Sequence, residues 1–290
     1  MKKIRLLKAN WSLWLLILLS ACAYNPYAVT NKSYKKQVKA FARQLKISPI
    51  KHKSEAGWIP GDYWVGTINF NMRKPNYVVI HHTAQDSTIQ TLKTFTIAKT
   101  QVSAHYVIGR DGKIYHMLND YLRAWHGGVS KWGNNTDLNS SSIGIELDNN
   151  GLEPFSEAQI NSLLVVLAKL KSTYNIPAAN FIGHSDIAPT RKNDPNTYFP
   201  WKRLAEQGYG LWYDEILPDT LASLDTTLVQ DSLQSFMKPE FALKIIGYDT
   251  RNLPAAIKAF KIHFIQKDID TTLTLQDKKI LFNLYPKYME

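Results

Sequence analysis

The chain has 290 residues, a formal net charge of +11 and a single cysteine. One cysteine excludes an intrachain disulfide and a zinc site built from several thiolates, so a metal ion would need His, Asp or Glu ligands. The length allows one large domain, or a medium domain with a small one. The excess of positive charge suits an anionic polymer or a membrane surface.

Residues 1–21 have the pattern of an export signal. Four basic residues precede the apolar run WSLWLLILLSA, which is shorter than the ~20 residues that span a bilayer. Loss of this segment removes four positive charges and lowers +11 to +7, so the mature chain stays basic. Because an exported chain meets cell-wall polymers and lipid head groups, we expect no nucleic-acid partner.

The only cysteine lies directly after this segment. Leu19-Ser20-Ala21-Cys22 resembles the lipobox of bacterial lipoproteins, which implies that Cys22 becomes the lipidated first residue. The alternative is an uncleaved anchor with an unmodified thiol. Ala23 follows the cysteine in place of an aspartate. By the same resemblance, this implies a location at the outer membrane, facing the periplasm.

Composition divides the rest of the chain into four parts. Residues 22–53 are polar and basic and predict an N-terminal tether, with room for a short helix. Residues 54–215 carry the strongest patterns and predict the main domain. Residues 216–236 lack strand alternation and predict a linker, and residues 237–290 predict a small helical domain.

Strand and helix patterns alternate in the main domain. β-branched runs predict strands in YVVIHH, SSIGIELDN and NFIGH, and two alternating runs around Arg110-Asp111-Gly112 predict a hairpin. Ser156 and Gln159 have capping-box spacing at the start of a predicted helix over residues 156–174. We therefore expect an α/β domain with a central, mostly β sheet flanked by helices.

Three helical patterns end the chain. Pro239, Pro254 and Thr274 each occupy a position where a helix can begin. The segments PEFALKII, PAAIKAFKIHFI and TLQDKKILFNLY then predict three short amphipathic helices. About fifty residues make a marginal core, so we expect these helices to pack against the larger domain.

The stretch GHSDIAPTRKNDP, residues 183–195, concentrates charge around a histidine. Its two prolines argue against a regular helix and favour a loop of fixed shape. The candidates are a solvated loop, a salt-bridge network or half of a metal site. His184 and Asp194, with His81 or His82 at the end of another strand, would suit one Zn²⁺ with a fourth position open to water. Such a site indicates hydrolytic chemistry.

The blocks VVIHHTA, SAHYVIGRDGKIYHML, AWHGG, SSIGIELDN and GHSDIAPTRKNDP occur in this order within residues 58–210. Together they resemble the zinc-dependent N-acetylmuramoyl-L-alanine amidase type 2 family, relatives of the peptidoglycan recognition proteins. The C-terminal helices are similar to a peptidoglycan-binding repeat, although KDIDTTLTLQD lacks the glycine usually found there. The resemblance implies the type 2 amidase fold, one Zn²⁺ and cleavage of the amide between the lactyl group of N-acetylmuramic acid and L-alanine.

The resemblance also implies residue roles. It gives His81, His184 and Asp194 as the zinc ligands, which selects His81 over His82. Glu146 would carry the proton from water to the leaving nitrogen, and Lys192 would stabilise the oxyanion. In the block AWHGG, Trp125 and His126 would contact substrate.

Other polar residues of these blocks have ordinary interpretations. We interpret Asp186 and Arg191 as a charge pair that pins the loop. His105 fits equally well as a hydrogen-bonded core histidine and as a residue of the site. His116 is interpreted as an ordinary hairpin residue.

Two rival functions remain on the sequence alone. One is a non-catalytic peptidoglycan-binding lipoprotein, and the other is a zinc endopeptidase that cuts within the stem peptide. For the amidase and for both rivals, we expect peptidoglycan or muropeptides as partners, membrane attachment through the lipid on Cys22, and a monomeric protein.

Overall fold

The computed structural model describes residues 25–46, 67, 69, 71–214 and 238–289. The chain separates into two compact units, Met1–Phe70 and Asn71–Glu290. The predicted signal segment, Cys22 and the predicted linker 216–236 lie outside the described residues.

The described part of the first unit is one helix, α1, Ala28–Leu45. It lies within the predicted tether, and its 18 residues make it longer than the short helix expected there. None of its residues is buried. Within the described residues, no helix of the chain combines the length and apolar character needed to cross a membrane.

The second unit contains a mixed sheet and several helices. Its strands are β1 Tyr77–His82, β2 Tyr106–Ile108, β3 Ile114–His116, β4 Ser142–Leu147 and β5 Phe181–Gly183. Its α-helices are α2 Thr88–Thr96, α3 Leu138–Ser141, α4 Glu157–Tyr174, α5 His184–Ile187, α6 Trp201–Glu206, α7 Pro239–Ile246, α8 Leu253–Phe260 and α9 Leu275–Leu284. A π-helical turn, Lys261–Ile265, extends α8.

The sheet has the strand order β3-β2-β4-β1-β5. β4 is central and pairs in parallel with β2 and β1, β1 also pairs in parallel with β5, and β3 closes the edge as an antiparallel hairpin. Both β1 and β4 are covered on their two faces, which explains their nearly continuous apolar sequences. The predicted α/β fold, with a central sheet flanked by helices, is confirmed.

Helix α4 covers one face of the sheet. Ile160, Leu163 and Leu167 belong to the core cluster that also contains Val78 and Ile145. The cap differs from a complete capping box, because only its first half forms: the Ser156 hydroxyl accepts the N–H of Gln159. The Gln159 side chain instead donates to the carbonyls of Ile108 and Asp148, which ties the helix to the ends of β2 and β4.

The C-terminal helices cover the other face. A second core cluster joins Val79 and Ile182 of the sheet to Leu243, Phe260 and Leu281 of α7, α8 and α9. The predicted starts are confirmed: Pro239 is the first residue of α7, Pro254 lies in the first turn of α8 and Thr274 caps α9. The expectation that these helices pack on the larger domain is confirmed as well.

The stretch 183–195 is not loop throughout. Its first residues form the single turn α5, His184–Ile187, directly after β5. The turn forms because the Asp186 carboxylate accepts the N–H of Gly183 at 2.7 Å, and because both prolines lie beyond the turn. The expectation of no helix here was therefore wrong for these four residues.

Candidate metal centre

The carboxyl ends of β1, β4 and β5 meet at one edge of the sheet. His81 near the end of β1 is the register partner of Glu146 on β4, and His184 begins α5 directly after β5. All three side chains are buried. Parallel strands deliver their carboxyl ends to the same place, which is where open α/β sheets bind ligands.

Three donor atoms converge at this edge. The Nδ1 atoms of His81 and His184 are 2.9 Å apart, and the Oδ2 atom of Asp194 lies 3.1 Å from the first and 3.0 Å from the second. A tetrahedral ion with bonds of about 2.0–2.2 Å separates its ligand atoms by roughly 3.4 Å. The triangle therefore has nearly the size of one face of such a tetrahedron.

Hydrogen bonds behind His81 determine which ring nitrogen faces this triangle. Ser142 donates its hydroxyl to the carbonyl of Leu138, so its oxygen accepts from Nε2 of His126 at 3.2 Å. His126 Nδ1 is then an acceptor, and it receives the Nε2–H of His81 at 3.1 Å. His81 consequently presents the unprotonated Nδ1 to the triangle, as a metal ligand must.

His184 has a similar arrangement. Its Nε2 lies 3.3 Å from the carbonyl of Gly127, which accepts the ring proton and leaves Nδ1 unprotonated. Arg191 Nη2 also lies 3.3 Å from this nitrogen, but both groups are donors. Arg191 therefore shares the Gly127 carbonyl as acceptor and donates to the carbonyl of Val129.

The two imidazole nitrogens and the carboxylate of this triangle together favour a bound cation. Burial, with a smaller contribution from His184, lowers the pKa of His81 to about 4, so this ring is neutral at neutral pH. Two ring lone pairs and a carboxylate thus face one another away from water, and a divalent cation would satisfy all three.

Glu146 lies beside the triangle with an unused oxygen. Burial and, to a smaller extent, the negative charge of Asp194 raise its pKa to about 8, against an opposing effect of Lys192. Its Oε2 atom is buried and has no hydrogen-bond partner among the described residues. A carboxyl group with such a pKa is suited to exchange protons near neutral pH.

An open cleft of about 430 Å³ reaches the triangle at His184. Its lining includes Trp125, His126, His184, Arg191 and Lys192. Trp125 is half exposed and offers an aromatic face at the rim, whereas Lys192 is exposed and adds positive charge. The cleft is large enough for part of an oligomeric ligand and is open to solvent.

The structure separates the two adjacent histidines of β1. Successive residues of a strand point to opposite faces, so His82 is directed away from the triangle, and its Nδ1 accepts the N–H of Asn196. His105 is a core histidine, since its ring bonds the N–H of Gly144 and the carbonyl of Leu122. His116 stacks on Tyr106 and belongs to the hairpin, as interpreted.

His126 lines the cleft, so its contact with substrate stays a prediction, although both of its ring nitrogens already bond His81 and Ser142. One interpretation needs correction. Asp186 and Arg191 have structural roles but do not pair with each other. Arg191 binds backbone carbonyls, and Asp186 accepts hydrogen bonds from Gly183, Tyr248 and His263.

Sequence reasoning missed Gly144, in the middle of β4. A Cβ atom there would lie 2.4–2.7 Å from three ring atoms of His126. Only glycine lets this imidazole lie against the strand and reach His81. A glycine inside a buried strand is itself the signal, because it indicates close approach of another group.

Comparisons with known proteins agree with this geometry. Residues 71–197 match the N-acetylmuramoyl-L-alanine amidase family model. The chain is 40% identical to the N-acetylmuramoyl-L-alanine amidase AmiD of Escherichia coli K12 over 153 residues, 47% of this chain and 54% of that protein. It is 35% identical to the 1,6-anhydro-N-acetylmuramyl-L-alanine amidase AmpD of the same organism over 170 residues, 51% of this chain and 93% of that protein.

A solved structure extends the likeness. E. coli AmiD, in complex with anhydro-N-acetylmuramic acid-L-Ala-D-gamma-Glu-L-Lys, aligns with a TM-score of 0.63 and 30% identity over 77% of this chain and 93% of that one. The fold and the site thus define an α/β protein with a buried His-His-Asp group at the ends of parallel strands. The chain belongs to the N-acetylmuramoyl-L-alanine amidase family. Its match spans only about half the length of AmiD, the first of these relatives.

Replacing Gly144 by alanine tests the support of His81. The added methyl group displaces the His126 ring, so we expect metal affinity to fall about 10–100-fold and the free energy of unfolding to fall by about 1–3 kcal/mol. Chelator competition and urea denaturation measure the two effects. Ile143→Val, in the same strand, is the control and should cost about 0.5–1.5 kcal/mol at unchanged metal affinity. Wild-type metal affinity in Gly144→Ala would show that His126 does not hold His81.

Proposed function

We propose that this chain is a zinc-dependent N-acetylmuramoyl-L-alanine amidase, which hydrolyses the amide between the lactyl group of N-acetylmuramic acid and L-alanine in peptidoglycan or muropeptides. The observation that carries the proposal is the triangle of His81 Nδ1, His184 Nδ1 and Asp194 Oδ2 beside the unpartnered Glu146 carboxyl. Family membership supports it, and E. coli AmiD binds a ligand that contains this amide linkage.

His81, His184 and Asp194 would hold one Zn²⁺, which supplies a Lewis acid for the scissile carbonyl and lowers the pKa of water. Glu146 removes the proton from the attacking water. The raised pKa of Glu146 makes it a stronger base than an exposed glutamate. After the C–N bond breaks, the same carboxyl group returns the proton to the alanine nitrogen, so that an amine leaves.

Lys192 supplies positive charge at the mouth of the cleft. Its ammonium group is close enough to influence both Glu146 and His81. Such a charge stabilises the oxyanion that develops on the carbonyl oxygen. Trp125 offers a half-exposed ring on which a sugar or peptide group stacks, and His126 acts indirectly, through His81.

Product analysis tests the amidase directly. Zinc-loaded protein is incubated with anhydro-N-acetylmuramic acid-L-Ala-D-gamma-Glu-L-Lys, and mass spectrometry should detect a peptide that begins with L-alanine. Glu146→Gln should retain zinc and lower turnover about 10²–10⁴-fold, and His184→Ala should lose zinc. Glu157→Gln, which removes an exposed carboxylate paired with Arg203, should leave turnover unchanged.

Other outcomes identify the rivals. Shorter peptides cut within the stem would indicate the endopeptidase. Zinc and ligand binding without any cleavage would indicate a peptidoglycan-binding protein that lacks activity. Wild-type turnover in Glu146→Gln would remove this residue from the mechanism.

We propose further that the mature protein is anchored to the outer membrane, facing the periplasm, through lipid on Cys22. The support is the sequence Leu19-Ser20-Ala21-Cys22 behind a basic and apolar segment. The mass of the mature N-terminal peptide should include a diacylglyceryl group on Cys22, and Cys22→Ser should prevent its addition. An unmodified thiol in the mature protein would contradict the anchor.

A further inference from the structure

Helix α1 carries only positive charges, and it has no role in the proposed amidase reaction. Within Ala28–Leu45 the charged residues are all basic, and the chain contains no acidic residue there. They are Lys32, Lys35, Lys36, Lys39 and Arg43, and Lys46 follows at the C-cap. A helix with this charge repels cationic and attracts anionic surfaces.

The apolar residues of α1 lie on another side of the helix. At 100° per residue, Tyr34, Val38, Phe41 and Leu45 fall within an arc of about 60°, which we call the apolar seam. The six cations fall in a separate arc of about 100°. Phe41 is 50% exposed and Leu45 80% exposed, and no residue of the helix is buried.

We propose that α1 lies flat on an anionic lipid surface, with the apolar seam at the acyl boundary and the cations at the phosphates. Charge complementarity selects an anionic partner, and the apolar seam favours lipid over an acidic wall polymer, which offers no hydrocarbon. The helix would supply a second attachment beside the lipid proposed on Cys22. A basic segment near the membrane adds to binding through its attraction to anionic lipids.

Vesicle binding tests this surface, with the chain from Ala23 onward so that no acyl group contributes. Vesicles of equal parts phosphatidylglycerol and phosphatidylethanolamine should bind it, and phosphatidylcholine vesicles should bind at least about tenfold more weakly. Phe41→Ser should weaken binding about tenfold or more. Val29→Ser is the matched control, since Val29 is 80% exposed but lies beside the cations, on the side of the helix away from the apolar seam, and it should bind like the parent chain.

Three results would overturn the proposal. They are equal binding to both kinds of vesicle, unchanged binding by Phe41→Ser, and capture by purified peptidoglycan sacculi in place of vesicles. The last result would assign α1 to the wall polymer. Both substitutions fall in the first unit, whereas the residues that line the cleft all belong to the second, so hydrolysis of a soluble muropeptide serves as the check that the protein is folded.

A different observation concerns the C-terminal helices, whose side chains reach the turn that carries His184. Asp186, fully buried in α5, accepts the hydroxyl of Tyr248 on Oδ1 at 2.8 Å and Nδ1–H of His263 on Oδ2 at 2.7 Å. The same Oδ2 accepts the N–H of Gly183. His263 also stacks on Trp201, with ring centroids 3.8 Å apart, which fixes its plane.

The geometry points to Tyr248 and His263 as positioning residues for His184. They hold the Asp186 carboxylate, which in turn holds the N-terminal end of α5, where His184 is the first residue. Partners behind a metal ligand commonly change metal affinity by about 10–100-fold. The inference rests on the proposed role of His184 as a metal ligand.

Zinc affinity of the apoprotein, measured by competition with a chromophoric chelator, tests this role. Tyr248→Phe and His263→Leu should each weaken zinc binding about tenfold. His263→Asn, whose amide keeps a donor near the Nδ1 position, should restore most of the affinity. Tyr285→Phe removes a hydroxyl from the same C-terminal helices without contact to Asp186 and should bind zinc as the wild type does.

Wild-type zinc affinity in both Tyr248→Phe and His263→Leu, whatever their unfolding temperatures, would overturn the positioning role. If the wild-type protein itself binds no zinc, the proposed function fails together with this inference. The two failures are therefore distinguishable.

Discussion

The rest of the site depends on two imidazole nitrogens and one carboxylate oxygen that face one another in a buried position. Unpaired lone pairs and a buried negative charge are each costly to remove from solvent, by several kcal/mol for the charge alone. The surrounding chain must therefore hold these groups together until a cation compensates them. Parallel strand ends provide the positions of His81 and His184, and hydrogen bonds to His126 and Gly127 provide their tautomers.

The C-terminal helices are part of this support. They share a core with Val79 and Ile182 of the sheet. They also contact the segment that follows His126, because Gly133 donates to the carbonyl of Gly247 and Trp132 packs on Tyr248. The same helices thus contact the sheet that carries His81 and the segment that follows His126. For this reason we regard them as a structural part of the unit that holds His81, His184 and Asp194.

The sequence was sufficient for the parts that depend on local pattern. Strand ends, the hairpin, helix α4 and the three C-terminal helices follow from periodicity and capping, which act over a few residues. The choice between His81 and His82 needed either a family resemblance or the structure, since neighbouring strand residues differ only in the face that they occupy. The one-turn helix α5 was missed because its cap comes from Asp186 inside the turn.

Partners distant in sequence could not be deduced in the same way. Asp186 and Arg191 are close in sequence and opposite in charge, yet each binds groups 60 or more residues away, such as Tyr248 and Val129. The role of His126 depends on the tautomer that Ser142 selects, which only the folded chain defines. Gly144 was missed as well, although a glycine within a buried strand is a sequence signal for the close approach of another group.

X-ray absorption at the zinc edge, combined with anomalous diffraction from the zinc-loaded protein, tests the central claim most directly. The account predicts one ion, about 2.0–2.2 Å from Nδ1 of His81, Nδ1 of His184 and a carboxylate oxygen of Asp194, with its remaining ligand from solvent or substrate. An ion elsewhere, or one bound through Nε2 of either ring, would contradict it.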